Sequence, residues 1–279
     1  MPKAFVVITY SRWIVEELRE AVEAVGGFDF YYSYGWDLPE KLLGYDSVSW
    51  WTPGEYAARA QKVGLATTLS SPGPEWLPGV PEAFTGRTTT LSTVSRVLAE
   101  PPEVPVFIKP ADVKLDFAPA QVVMPEELAS TLSDWDPRTI VHCTDLICDY
   151  TQEYRFYVVD GDIMTGSVYL NQGRTVYDGA SADSYAEAFL FASQLLECGS
   201  CPPGPRSYTL DVGFDQISGR WLVIEANPTW SSGFYNSDLR EVVHAIEAAC
   251  HPIDNSAFLW RPDPYLLDKV AHQVDLRLI

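Results

Sequence analysis

Positive charge is scarce in this chain: its 279 residues carry 19 Lys and Arg against 38 Asp and Glu, a formal charge of -19 at pH 7. Neutralising a nucleic-acid backbone takes clustered Lys and Arg, so the charge argues against a general nucleic-acid binder and any phosphate-binding site must be local. Long apolar runs are missing too. The N-terminal MPKAFVVITYSRW has one lysine and an apolar run too short for a signal-peptide core, and no later stretch approaches the length of a membrane span. No membrane partner is expected. A disulfide framework is also absent, because the five cysteines at 143, 148, 198, 201 and 250 are odd in number and irregular in spacing. That pattern suits reduced thiols and a cytoplasmic protein. Cys198 and Cys201 form a lone CxxC that follows a helix and lacks the second pair of a structural zinc site. No glycine-rich loop follows the first strand, where Tyr10-Ser11-Arg12 stands, so a dinucleotide-binding Rossmann site is unsupported.

What is present divides in two. Lys3–Tyr10 has a buried-strand pattern, and Ser11 is placed to cap a helix with apolar positions Ile14, Leu18, Val22 and Val25, ended by Gly26-Gly27. A second strand-like run, Phe28–Tyr34, completes an α/β start. Between Ser70 and Pro105 the chain is rich in Pro, Gly, Ser and Thr around a short helix expected near Thr89–Ala99, which marks a domain boundary. We therefore expect an N-terminal α/β domain over residues 1–88 and an α+β domain with antiparallel sheet over 89–279. In the second, strands are expected at Val106–Lys109 and Thr139–Cys143, a helix from Pro125, and a hairpin Glu153–Leu170 turning at Asp160-Gly161. Helices near Asp183–Glu197 and Asp238–Cys250 flank the next hairpin.

That hairpin, Tyr208–Phe214 with Trp221–Ala226, is the most informative stretch. With its turn centred on Ser218, Asp211 lies across from Glu225, and the two-residue period of a strand puts Asn227 on the same face. Facing carboxylates repel, and a divalent cation removes the conflict. Asp, Glu and Asn supply hard oxygen ligands, and Mg²⁺ is commonly held by one or two carboxylates together with substrate phosphates. A surface hairpin with its acids in water is the alternative.

Lys109 ends an apolar strand on the face of Phe107, and Lys114 follows in the next loop. Such lysines often only snorkel to solvent. Alternation puts Glu153, Arg155 and Tyr157 on one face of their strand, a placement that a structural salt bridge also explains. Read in order, FIKP-x4-K, EYRFYV-x-DG, LDVGF and IEANP-x-W-x-x-G-x-Y resemble the ATP-grasp superfamily, in particular its clade marked by two lysines and an arginine. The resemblance runs from about Phe84 to the C-terminal region, and the first part looks like the family's preceding α/β domain.

The resemblance implies a nucleotide held between two α+β lobes with antiparallel sheets, and ATP-dependent joining of a small carboxylate donor to an amine-type acceptor such as an amino acid, peptide or protein terminus. It assigns Lys109 and Lys114 to ATP phosphates, Arg155 to the transferring phosphoryl or acyl-phosphate, and Asp211, Glu225 and Asn227 to Mg²⁺. Lys109 and Arg155 are thereby the catalytic candidates. Backbone groups of Thr144, Asp145, Leu146 and Ile147 are implied beside adenine, and Glu153 at the ribose. Trp230, Ser232, Gly233 and Tyr235 are implied along the acceptor. The loop after Lys109, ADVKLDFAPA, contains no glycine where family members commonly have a small or glycine-containing loop. A kinase transferring phosphate to a hydroxyl, and a nucleotide-binding module without turnover, are the competing expectations.

Overall fold

The computed structural model describes residues 2–35, 37–111, 119–145, 148–176, 181–251 and 256–272. Its first strand, β1 (Lys3–Ile8), is at most 1% exposed from Ala4 to Ile8. Strands apolar on both faces suit a parallel sheet covered on both sides. Accordingly β1 lies between β2 (Phe28–Ser33) and β3 (Ser47–Trp51), parallel to each. Helix α1 (Arg12–Val25) connects β1 to β2 and buries Val15, Leu18, Ala21 and Val22. It stops at Gly26 and Gly27, whose φ angles of +78° and +83° glycine adopts without a side-chain clash. Ser11 occupies the N-cap position but makes no side-chain capping bond; its own N–H donates to the Thr9 hydroxyl at 3.1 Å. Helix α2 (Gly54–Lys62) follows β3.

A second sheet begins at Thr89. Strands β4 (Thr89–Thr93), β5 (Val106–Pro110), β6 (Gln121–Val123) and β7 (Ile140–Thr144) pair antiparallel in the order β4-β7-β5-β6. The helix expected near Thr89–Ala99 is corrected: only Val94–Ala99 is helical, and the threonine-rich stretch before it is strand. β-branched threonines lose rotamer freedom in a helix and fit a pleated strand. The helix expected from Pro125 is a 3₁₀ turn, Pro125–Glu127, and one helical turn, Leu128–Thr131.

The third sheet is antiparallel and carries the site. It contains β8 (Tyr150–Val159), β9 (Asp162–Asn171), β10 (Arg174–Thr175), β11 (Ser207–Asp215) and β12 (Arg220–Asn227), in the order β10-β9-β8-β11-β12. The β8–β9 hairpin turns at Asp160-Gly161 as expected, both with positive φ, +52° and +91°, as a two-residue type I′ turn requires. One face, with Tyr154, Phe156, Val158, Leu210 and Val212, packs on Ala188, Ala192 and Leu195 of α3 (Ala182–Leu196). The other face presents Glu153, Arg155, Asp211 and Glu225 at one end.

Helix α4 (Leu239–Cys250), capped by Asp238 accepting from the Arg240 N–H at 2.9 Å, covers the rest of that face and also packs on α1 and β3. The C-terminal helix α5 (Pro264–His272) lies on α2. The later part of the chain therefore returns to complete the N-terminal core. No helix among the described residues is long and apolar enough to cross a membrane.

Candidate nucleotide and metal site

Asp211 and Glu225 stand opposite each other, as expected, but the register arrives there by a different route. The strands part at Asp215 and Arg220, so the turn centres between Ile217 and Ser218 and the pairing next to it is one residue out of the register that a centre on Ser218 would give. A β-bulge then sets Ile224 and Glu225 together opposite Asp211, which restores the pairing. On its other side Asp211 pairs in register with Arg155 of β8. Asn227 shares the face, and its Nδ2 donates to Glu225 Oε1 at 2.7 Å and to Asp211 Oδ2 at 3.3 Å.

The carboxylate repulsion is relieved by the protein's own cations. Arg155 Nε and Nη2 donate to the two oxygens of Asp211 at 2.8 and 2.6 Å, both side chains being almost wholly buried. Lys109 Nζ, from the other sheet, is ion-paired with Glu225 Oε2. Burial alone would raise the Glu225 carboxyl, but the Lys109 charge and hydrogen bond, with the Asn227 amide, hold it down to about 2. Burial also works against the Arg155 guanidinium, and the Asp211 charge outweighs it, so its pKa is raised.

Rings enclose the arginine. Tyr169 and Tyr235 are stacked with centroids 5.1 Å apart, and the guanidinium lies 5.5 and 5.6 Å from them. Arg155 Nη1 donates to the Gly233 carbonyl at 3.3 Å, as does the Tyr157 hydroxyl at 3.1 Å. Glu153 accepts from the Tyr169 hydroxyl, and burial, with the nearby Asp211 and Glu225 charges, pushes its carboxyl pKa up against that bond.

Lys109 pairs in register with His142 of β7. Thr144, which ends that strand, is buried between Thr89 and Phe107, and Asp145 follows at the passage from the second sheet to the third. Lys114, Leu146 and Ile147 lie outside the described residues.

Of the residues assigned to the acceptor, Trp230 and Ser232 are 1% and 2% exposed and belong to the junction between halves. The Trp230 indole N–H donates to the Ser70 carbonyl at 2.8 Å, and its ring meets Trp260 edge-on at 4.8 Å. The Ser232 hydroxyl sits within 2.9 Å of Thr209 Oγ1, and its carbonyl accepts from the Trp51 indole N–H at 2.8 Å. Gly233 and Tyr235 reach the arginine, and Tyr235 continues into a groove of about 970 Å³ shared with Trp13, Glu17, Glu20 and Asp238.

The donor set fits a hard divalent cation. Two carboxylates converge on one amide, whose NH₂ bridges them where a cation would draw both; turned over, that amide offers Oδ1. Among the described residues no group of three or more His, Cys, Asp or Glu is placed to hold a metal; a cation here would have Asp211, Glu225 and Asn227 as its protein ligands, with water or a bound phosphate completing its shell.

Residues 84–245, more than half of the chain, match the model of an ATP-grasp domain, the second family of the clade marked by one arginine and two lysines. The chain belongs to the ATP-grasp superfamily. Its fold is shared by the D-cycloserine synthetase DcsG, with a TM-score of 0.50 at 14% identity over 88% of this chain and 99% of that one. It is shared as well by the N5-carboxyaminoimidazole synthetase of Staphylococcus aureus, with a TM-score of 0.52 at 9% identity over 88% and 77%. A D-alanine–D-alanine ligase of Bacillus anthracis in complex with ATP aligns with a TM-score of 0.47 at 13% identity over 89% and 97%. None of the curated proteins matches the sequence.

Three residues of this candidate site escaped the sequence. Tyr169 faces Glu153 because a bulge sets Tyr169 and Leu170 together opposite it, and unbroken alternation does not reveal that. Arg87, 8% exposed, donates to the Val223 and Ile224 carbonyls at 3.2 Å each and so holds the bulge that aims Glu225. His142 sits beside Lys109 with Nε2 donating to the Pro74 carbonyl at 2.6 Å, and burial lowers its pKa to about 4. Arg87 is a single residue in the bend between the helical turn Glu82–Thr85 and β4, and His142 one in an ordinary strand; only the tertiary packing marks them.

Proposed function

We propose that this ATP-grasp protein uses ATP and Mg²⁺ to join a small carboxylate to an amine through an acyl-phosphate, with release of ADP and phosphate. The observation that carries the proposal is the meeting, face to face, of Lys109 from one sheet with Asp211, Glu225, Asn227 and Arg155 from the other. A cationic arm and an acidic metal cradle on opposite lobes are what phosphoryl transfer without a protein nucleophile requires.

In this reading Lys109 and Lys114 hold the nucleotide phosphates. Thr144, Asp145, Leu146 and Ile147 supply the edge beside adenine, and Glu153 lies toward the ribose. Asp211, Glu225 and Asn227 would hold Mg²⁺, which would supply neutralisation of charge on the phosphoryl oxygens. Arg155 has three of its five N–H donors engaged by Asp211 and Gly233, and the others remain for the phosphoryl group and for the oxyanion of amine attack. Tyr169, Tyr235 and Asp211 fix its plane, so little rearrangement is needed as charge develops. The acceptor lies along Gly233 and Tyr235, and the groove beyond, with Glu17, Glu20 and Asp238, suits an amine-bearing amino acid, peptide or protein terminus.

Thermal melting with and without Mg-ATP tests the nucleotide assignment. Wild type should melt higher with Mg-ATP, because a ligand that binds only the folded state stabilises it. Glu225→Gln should lose most of that shift. An equal shift in both contradicts the metal assignment.

A further inference from the structure

We infer that the Lys109–Glu225 ion pair is a latch across the nucleotide cleft, which keeps a divalent cation out until nucleotide phosphates draw the lysine away. The inference rests on the nucleotide site proposed above and adds a mode of control to it.

The two partners come from different sheets. Lys109 belongs to β5 of the four-stranded sheet and Glu225 to β12 of the five-stranded one, so their contact joins the two sheets. Both are mostly withdrawn from water, with side chains 16% and 23% exposed. Both oxygens of Glu225 are used, Oε2 by the ammonium and Oε1 by the Asn227 amide. Asp211 is committed at both oxygens to Arg155. The charges of the cradle are therefore already balanced, although its geometry suits a metal.

A divalent cation arriving alone must displace the ammonium, which leaves a half-buried lysine without its counter-charge. Nucleotide phosphates change that balance by giving Lys109 new acceptors, and the freed carboxylate then becomes a metal ligand. Each ligand uncovers the binding group of the other. Their affinities are coupled positively, and the coupling is reciprocal. His142 adds to the effect. It pairs in register with Lys109 and is bonded to the Pro74 carbonyl, so the position next to the lysine on β7 carries an imidazole and no second carboxylate for the ammonium.

The test is titration of Mn²⁺ into the full-length, nucleotide-free protein, read by electron paramagnetic resonance of the free ion. Wild type, Lys109→Met, Lys109→Gln and the double variant Lys109→Met/Glu225→Gln are compared, each first shown to melt cooperatively. Both single variants should bind Mn²⁺ at least about tenfold more tightly than wild type, because an unpaired buried carboxylate seeks a cation. The double variant should lose that gain. Equal Mn²⁺ affinity in wild type and both single variants overturns the latch, and so does a gain that survives in the double variant, which would reflect general charge. Neither result touches the nucleotide assignment, which the Mg-ATP melting shift of wild type decides separately.

Discussion

Asp211 and Glu225 are paired metal-ligand candidates, but they are embedded differently, and replacing each by its amide separates catalysis from stability. Asp211 is 1% exposed and holds Arg155 through two hydrogen bonds of 2.8 and 2.6 Å. Asp211→Asn keeps the shape and one acceptor but leaves a buried guanidinium without its counter-ion, a loss of about 3–5 kcal/mol. For a chain of this size each kcal/mol moves the melting temperature by about 2–4 °C, so the expected fall is roughly 10 °C. Glu225→Gln breaks a less buried pair, whose side chains are 16% and 23% exposed, so the loss should lie between that of a surface pair and a buried one, about 1.5 kcal/mol, with a fall of roughly 4 °C. Both variants should lose turnover, since each removes a charged metal ligand. Scanning calorimetry without nucleotide, set beside ADP release with Mg-ATP, reads the two effects. Melting temperatures of the two variants within about 2 °C of each other would refute the buried-pair reasoning, and turnover retained by either would refute the ligand assignment.

Further outcomes follow from the same geometry. Because burial holds the folded-state pKa of His142 near 4, below the unfolded value of about 6.5, its stabilising contribution is complete above pH 6.5 and is lost as the pH falls toward 4. That loss amounts to about 3 kcal/mol, and His142→Gln should flatten this part of the stability–pH curve measured by urea unfolding. Lys109→Ala should depress ADP production severely, a charge-assisted phosphate contact being worth about 1.5–3 kcal/mol, whereas Cys198→Ser and Cys201→Ser should change it little. A dead cysteine variant beside an active Lys109→Ala would overturn the site map. Trp230→Ala should lower the melting temperature strongly through the lost core volume at the junction with Trp260 and Ser70, with a cost of about 3–5 kcal/mol in urea unfolding.

Much of the site was legible because strand alternation is a strong constraint. Glu225 and Asn227 share a face as their spacing required, with Asp211 brought opposite Glu225 by the bulge, and Glu153, Arg155 and Tyr157 share theirs. What alternation does not show is which cation meets which anion. Arg155 and Lys109 were placed as ligands of phosphate, and in the structure they neutralise the carboxylates, so no metal is needed to relieve the repulsion. Bulges at Ile224 and Tyr169 also lie beyond a two-residue period, since they follow from register set elsewhere in the sheet. Trp230 and Ser232 were assigned to the acceptor from their place after the metal ligands. Their burial against Ser70, Trp51 and Trp260 depends on contacts with distant parts of the chain that local sequence does not display. The strand β3 was missed because Ser47–Trp51 mixes polar and apolar residues without a clean period.

The central claim is activation of a carboxylate as an acyl-phosphate, and hydroxylamine trapping tests it most directly. Once a carboxylic acid that stimulates ADP release has been found among amino acids, peptides and small acids, hydroxylamine replaces the natural amine in the assay. A mixed carboxylic–phosphoric anhydride is open to attack by this nucleophile, whereas a phosphate ester is not readily attacked. The account predicts hydroxamate in step with ADP, and slower trapping by Arg155→Ala out of proportion to any loss of ATP binding. ADP release accompanied by a stable phosphorylated product and no hydroxamate would contradict it and identify a kinase.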